Sequence, residues 1–376
     1  MNILAISHEF PPIGGGGANA AYYLIKGFVE KGHQVTLITS NYNNLPKQEQ
    51  INGATVIRVS SKRNYKEHCS FTEMLSFITK AYPVVNDMAK MQKWDVCLVF
   101  FGIPSGPLGY YLKKKYRIPY VIRFGGGDIP GFQKRFTEIY QLIGPAIKLI
   151  WKNADALIAN SEGLRRLAYD FYKKKEICII TNGTDAAYFK PANHENSRIT
   201  ILFVSRLIER KGLQYILPHL KEIQKKCEQE IQLVIVGDGP YRTALEEIAK
   251  RVQVEDMVSF EGQKDKKEIR SYYQNADLFI LPSEKEGMPN VVLEAMAAGL
   301  PIIMTPCEGS EELINGNGFA VPVDEFTDKI ALLCNKPELR KAYGNISRQN
   351  IVNDFSWDKI VDEYIEKICI AIEKRN

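Results

Sequence analysis

The chain has 376 residues, of which 45% are hydrophobic and 25% charged, a length beyond what one core supports and a composition that excludes a largely disordered or collagen-like protein. The net charge of +5 hides an imbalance: residues 1–190 carry 25 Lys and Arg against 14 Asp and Glu, leaving 24 against 30 for the remainder. The first half is therefore the part expected to meet an anionic partner, and a membrane phospholipid, a lipid-linked diphosphate and a nucleic acid all fit that sign.

Met1–Ser7 is too short for a signal-peptide core and has no basic lead-in. The apolar run 96–112 is broken by Gly102, Pro104, Gly106, Pro107 and Gly109, which argues against a membrane helix. A cytoplasmic protein is expected. The seven cysteines include no C-x-x-C pair, and the five histidines no H-x-x-x-H pair, so reduced thiols and no metal site are expected.

In chain order, the apolar run Asn2–Ser7 reads as a buried parallel strand. It leads into His8-Glu-Phe-Pro-Pro-Ile-Gly-Gly-Gly-Gly17, a helix over 18–31 and a strand over 34–40. A glycine loop between strand and helix lets backbone approach a phosphate. It is not the dinucleotide fingerprint, because the loop is too long and no acidic residue closes the second strand. Alternation continues with strands at 55–59, 95–101, 119–124, 156–159 and 177–180, and helices at 73–93, 108–116 and 136–152. The last of these helices is basic and amphipathic, a pattern shared by core-packing and membrane-surface helices. Ser161 is a helix-cap candidate. Such alternation predicts a doubly wound parallel sheet.

After the polar stretch 192–197, a candidate joint between domains, the alternation restarts with a strand over 200–204. Ser205-Arg206-Leu207-Ile208-Glu209-Arg210-Lys211-Gly212 leaves its carboxyl end, where open α/β sheets bind ligands. Arg206 as a fork and Lys211 as a point charge suit a diphosphate. A strand over 232–236 ends in Gly237-Asp238-Gly239-Pro240, one over 258–260 in Glu261-Gly262-Gln263, and one over 278–281 delivers the stretch Ser283–Met304. That stretch reads as a loop with Glu286, a helix from near Pro289, a stop at Gly299 and a short strand. The helix start would aim the backbone N–H groups of Asn290 and Val291 at an anion. Glu286 and Glu294, eight residues and about 12 Å apart on a helix, could then hold opposite ends of a ligand whose middle is anionic. A helix over 357–374 closes the chain.

With these residues assembled, the chain resembles retaining glycosyltransferases of the GT-B fold, in glycosyltransferase family 4. The match runs from the N-terminal glycine loop to Phe319 and is carried by Glu286 and Glu294 with the A-M-A-A-G-L-P-I-I continuation, behind Arg206, Lys211 and Gly237-Asp238-Gly239-Pro240. The resemblance implies two Rossmann-like α/β domains facing across a cleft. The domains expected are 1–191 for the acceptor and 192–355 for the nucleotide sugar, with a helix at 356–376 packed back on the first. It implies transfer of a sugar from a nucleoside diphosphate sugar, UDP favoured over GDP, to a hydroxyl of a lipid-linked or cell-surface glycan. No cofactor, no metal and no nucleic-acid partner are expected. Glu286, Arg206 and Lys211 are the catalytic candidates. Gly16, Gly17, Gly237, Gly239, Gln263, Met288, Pro289, Asn290, Val291 and Glu294 complete the donor set, Glu294 on the ribose and the two N-terminal glycines on the phosphate. His8, Arg123 and Asp128 are the acceptor candidates, with peripheral contact at the inner face of the plasma membrane through the basic first domain. Many family members carry a histidine where this chain has Gly125, a departure that puts a histidine-assisted step there in question. A nucleotide-sugar epimerase and a catalytically silent nucleotide-sugar-binding protein stay open as alternatives.

Overall fold

A computed structural model describes residues 1–66, 69–192 and 197–373. The chain divides into two compact units, the first Met1–Asn182 with the stretch from Trp357 onward, the second Gly183–Ser356. The change of unit thus falls at Asn182, nine residues ahead of the boundary expected after residue 191. Most of the polar joint, 193–196, lies outside the described residues, as does the last residue of the helix expected over 357–374.

The first unit holds an eight-stranded sheet. Its strands are β1 (Asn2–Ile6), β2 (Gln34–Ser40), β3 (Gln48–Ile51), β4 (Ala54–Val59), β5 (Val96–Phe100), β6 (Tyr120–Arg123), β7 (Ala156–Ala159) and β8 (Cys178–Ile179), in the spatial order β3-β4-β2-β1-β5-β6-β7-β8. All pairs are parallel except β3 with β4. β3 is absent from the sequence reading, although Asn52-Gly53 signals it. Both residues take positive φ (49° and 82°), the requirement of a two-residue hairpin turn, and Ile51 pairs with Ala54 across it. Along β1, Ile3 and Ala5 enter one core and Leu4 and Ile6 the other, the period-two pattern of a strand buried on both faces. One face is covered by the helices Gly16–Glu30 and Trp357–Glu373, where the Tyr23 and Trp357 rings stack at 5.0 Å. Phe71–Met91, Gly106–Tyr116 and Thr137–Asn153 cover the other. Glu73 and Ser70 close a capping box at the start of Phe71–Met91.

The second unit holds six parallel strands, β9 (Ile199–Val204), β10 (Ile231–Val236), β11 (Val258–Gly262), β12 (Leu278–Leu281), β13 (Ile302–Met304) and β14 (Gly318–Ala320). Their order is β11-β10-β9-β12-β13-β14, so the sheet reverses its winding between β9 and β12. Among the described residues, no helix is long and apolar enough to cross a membrane.

Candidate functional site

Where a doubly wound sheet reverses its winding, the connections leave on opposite faces and a crevice opens at the carboxyl ends of the strands. In the second unit that place lies between β9 and β12. The loops that follow these strands touch backbone to backbone. Gly212 has φ 79°, and a Cβ there would stand 1.9 Å from the Pro282 carbonyl oxygen; Gly237 has φ 137°, and its Cβ would stand 1.9 Å from that of Ser205. Gly237 N–H also donates to Gly262 O (2.8 Å), which brings the loop with Gln263 alongside, and Leu207 N–H donates to Asp238 O (2.9 Å) in the turn that holds Gly239. Across the crevice, Glu284 N–H donates to Arg210 O (2.9 Å) and the Arg210 guanidinium to Lys285 O (2.6 Å).

This backbone frame sets the charges. Lys211 and Glu286 form an ion pair between the two loops, each side chain only 12% exposed, and Ser283 Oγ donates to Glu286 Oε1 at 2.8 Å. Arg206 and Gln263 are exposed. The helix beside Glu286 runs Asn290–Ala297 with Pro289 as its N-cap residue, one position ahead of the first turn, and Gly299 ends it at φ 78°. Its first intrahelical donor is Val292, to Pro289 O at 3.1 Å. The positive end of the helix therefore lies directly after the Glu286 loop. Met288 and Pro289 are buried, and Asn290 and Val291 half-buried.

Glu294, within this helix, accepts a hydrogen bond from the Tyr273 hydroxyl (2.8 Å). Burial pushes its carboxyl up to about 7, against the opposing pull of the Tyr273 hydroxyl and Lys266. Tyr273 escaped the sequence reading, since nothing in its spacing marks it as Glu294's partner.

The first unit reverses its winding between β1 and β5. His8, just after β1, is buried, and burial lowers its pKa to about 4, opposed by Glu9. Its ring meets Phe101 edge-on at 4.7 Å. Phe101, the residue after β5, has φ 68°, which a bulky side chain rarely adopts. Its ring lies over two glycines: a Cβ on Gly17 would stand 2.4 Å from Phe101 Cζ, and one on Gly125 2.2 Å from Cε1. The space that a side chain at 125 would need is filled by this ring. Gly16 and Gly17 are the first residues of the helix Gly16–Glu30, so the glycine loop is shorter than expected.

Asp128 and Arg123 do not stand open to an acceptor. Both are buried; Asp128 accepts from Gly102 N–H (2.6 Å) and Gly125 N–H (2.8 Å), and Arg123, ending β6, donates to Asn182 Oδ1 (2.5 Å). Their charges tie down the loops after β5, β6 and β8. Phe101 was missed because a positive φ on a phenylalanine has no sequence signature.

Two family models match, Glycosyltransferase Family 4 over residues 14–188 and Glycosyl transferases group 1 over residues 185–350. The chain belongs to the family 4 glycosyltransferases. An uncharacterized glycosyltransferase of Methanocaldococcus jannaschii is 27% identical to this glycosyltransferase over 99% of both chains. Sucrose-phosphate synthase of Thermosynechococcus elongatus superposes with a TM-score of 0.81 at 21% identity, over 97% of this chain and 98% of its own. HepE of Anabaena, in complex with UDP, gives 0.77 at 17%, over 98% and 100%. At these identities the structures establish the fold, which is of the GT-B type with two Rossmann-like α/β units.

Proposed function

We propose that this glycosyltransferase transfers a sugar, with retention of anomeric configuration and without a metal ion, from a nucleoside diphosphate sugar to a hydroxyl of a lipid-linked or cell-surface glycan. One observation carries the reading: the Lys211–Glu286 pair bridges the crevice at the carboxyl ends of β9 and β12, immediately before a helix N-terminus. In this reading Arg206 and Lys211 hold the diphosphate, and the helix end adds partial positive charge where negative charge grows on the leaving group. Glu286 orients the sugar, and Glu294 takes the ribose hydroxyls. The acceptor oxygen attacks the anomeric carbon on the face from which the diphosphate departs. The carbon–oxygen bond to the diphosphate breaks as the new one forms, and the acceptor's proton leaves with a diphosphate oxygen.

UDP is the favoured nucleotide, a choice supported by HepE's complex with UDP. The excess positive charge of residues 1–190 supports an acceptor on an anionic membrane surface, with the enzyme in peripheral contact on the cytoplasmic side. Thermal-shift measurements with UDP, GDP and their sugar conjugates test the donor site, and stabilisation by none of them would end this reading. NMR of the product's anomeric proton tests retention. Activity abolished by a chelator and restored by a divalent cation would refute the metal-free step.

A further inference from the structure

The helix Thr137–Asn153 is apolar on two opposite sides. Inward, Tyr140, Ile147, Ile150 and Trp151 are buried in the core of the first unit. Outward, Leu142 is 82% exposed and Leu149 47%, with Pro145 and Ala146 exposed between them. Positions 142, 145, 146 and 149 follow the i, i+3, i+4, i+7 spacing, so they line one stripe two turns long. Core packing accounts for the inner side only, because the outward side of such a helix is ordinarily polar. Single exposed apolar residues need no explanation, whereas a contiguous patch marks an interaction surface.

Positive charge borders this stripe. Lys148 and Lys152, one turn apart, are exposed along one edge, and Glu138 is the only acid in the helix. Lys148 Nζ stands 4.9 Å from the centre of the Phe171 ring, and Lys175 Nζ donates to Lys152 O (3.3 Å) and to Ala154 O. These contacts bring the exposed Lys173 and Lys174 to the same end of the helix. Lys113 Nζ donates to Asn153 O (2.9 Å) there as well. Lys113 and Lys175 thus already serve carbonyls at the helix terminus, and capping does not account for the four exposed lysines. A soluble polyanion would use the lysines and leave the leucines in water. A stable protein partner calls for roughly 20–30 residues a side, far more than this stripe presents. A bilayer surface takes both kinds of group, hydrocarbon for the leucines and headgroups for the lysines.

We propose that the outward stripe of Thr137–Asn153 is a membrane-docking surface: Leu142 and Leu149 enter the headgroup region, and Lys148, Lys152, Lys173 and Lys174 lie against anionic phospholipid. This rests on the peripheral contact proposed above and assigns it to one helix face.

Co-sedimentation of the full chain with vesicles tests it, using phosphatidylcholine alone and an equimolar mixture with phosphatidylglycerol. The wild type should bind the mixed vesicles, more weakly as salt is raised, and leave phosphatidylcholine vesicles unbound. Leu142→Gln with Leu149→Gln should weaken binding at least about tenfold, and Lys148→Gln with Lys152→Gln about 30-fold. Unfolding temperature and UDP affinity should stay at wild-type values in both, since all four side chains are exposed. Equal vesicle binding by wild type and variants would overturn the assignment to this helix and leave a peripheral contact elsewhere. A wild type that binds neither vesicle would overturn both the surface and the contact, while UDP calorimetry reads the donor site independently. Self-association in sedimentation velocity that the leucine variant abolishes would give the stripe to a second copy of the chain and overturn the proposal.

Discussion

At the second sheet the gap between β9 and β12 is edged with charge, whereas at the first sheet the gap between β1 and β5 is filled by an aromatic ring. Topology opened both in the same way. In the second unit, glycines let backbone approach backbone, so the loops can present Lys211 and Glu286 to each other and leave Arg206 exposed. In the first unit the ionisable groups are buried: Asp128 accepts from two backbone donors, Arg123 donates to Asn182 through one nitrogen while its Nε and Nη1 have no partner among the described residues, and burial keeps His8 neutral. On the proposed reading a diphosphate makes the same electrostatic demand in every donor, and the fixed charges of the second gap would meet it. The other gap is shaped by volume, so a change there acts first on packing.

Exchanging the kind of perturbation between the gaps breaks or sharpens this contrast. The largest effect belongs to charge removal at the second gap. Lys211→Ala and Arg206→Ala should each lower kcat/KM for transfer by about 100-fold or more, the usual scale for losing a group that meets transition-state charge. Unfolding temperatures should stay near that of the wild type for Arg206→Ala, whose side chain is exposed. Transfer rates from both variants within a fewfold of the wild type would show that the diphosphate lies elsewhere.

At the first gap a substitution should act on folding before it acts on chemistry. Gly125→His meets the Phe101 ring at 2.2 Å from its first side-chain atom and should cost about 1–3 kcal/mol of stability, the range for overpacking. In a chain of this size that is a fall of several degrees in unfolding temperature. Phe101→Ala in the same chain removes the obstacle and should return part of the loss, so that the pair is less destabilised than the sum of the single changes. Additive effects would separate Phe101 from Gly125 and leave the glycine unexplained.

The two gaps were also unequally legible in the sequence. The strands that deliver the charged gap were readable because a strand buried on both faces is a continuous apolar run, and β12 begins and ends where its composition says. Glu286, Lys211 and Gly237 stood out because they fall in the loops that leave the carboxyl ends of strands, where open α/β sheets bind ligands. β3 was lost although Asn52-Gly53 marks it, since a short, polar edge strand has no apolar pattern of its own. The burial of Arg123 and Asp128 was hidden for a related reason. Residue type reveals charge but not whether backbone N–H groups or an asparagine will spend it, and that depends on chain segments far away in sequence. The same holds for Tyr273 on Glu294, where a single hydroxyl 21 residues upstream decides how the carboxyl is solvated.

That carboxyl gives the smallest effect and the most direct test of its role. Glu294 is neutral in the folded protein up to a pH of about 7, against 4.5 for the ordinary glutamate side chain. Between these values the folded state binds more protons than the unfolded state, so the contribution of Glu294 to stability is fully present below about 4.5 and is lost as pH rises toward 7. Ligand binding runs in the opposite direction. Ribose hydroxyls donate best to the ionised carboxylate, so binding lowers its pKa and releases a proton, and affinity for UDP should rise with pH up to and through 7. One titrating group limits the gain to about tenfold per pH unit. Calorimetry between pH 5.5 and 8, in buffers of different ionisation enthalpy, reads both the affinity and the released proton. In Glu294→Gln the share of both dependences that Glu294 contributes should be gone, leaving that of the terminal phosphate of UDP, whose second ionisation falls at pH ~6. A wild type that matches Glu294→Gln in affinity and proton release across this range would take Glu294 away from the ribose and leave it a buried acid bound to Tyr273.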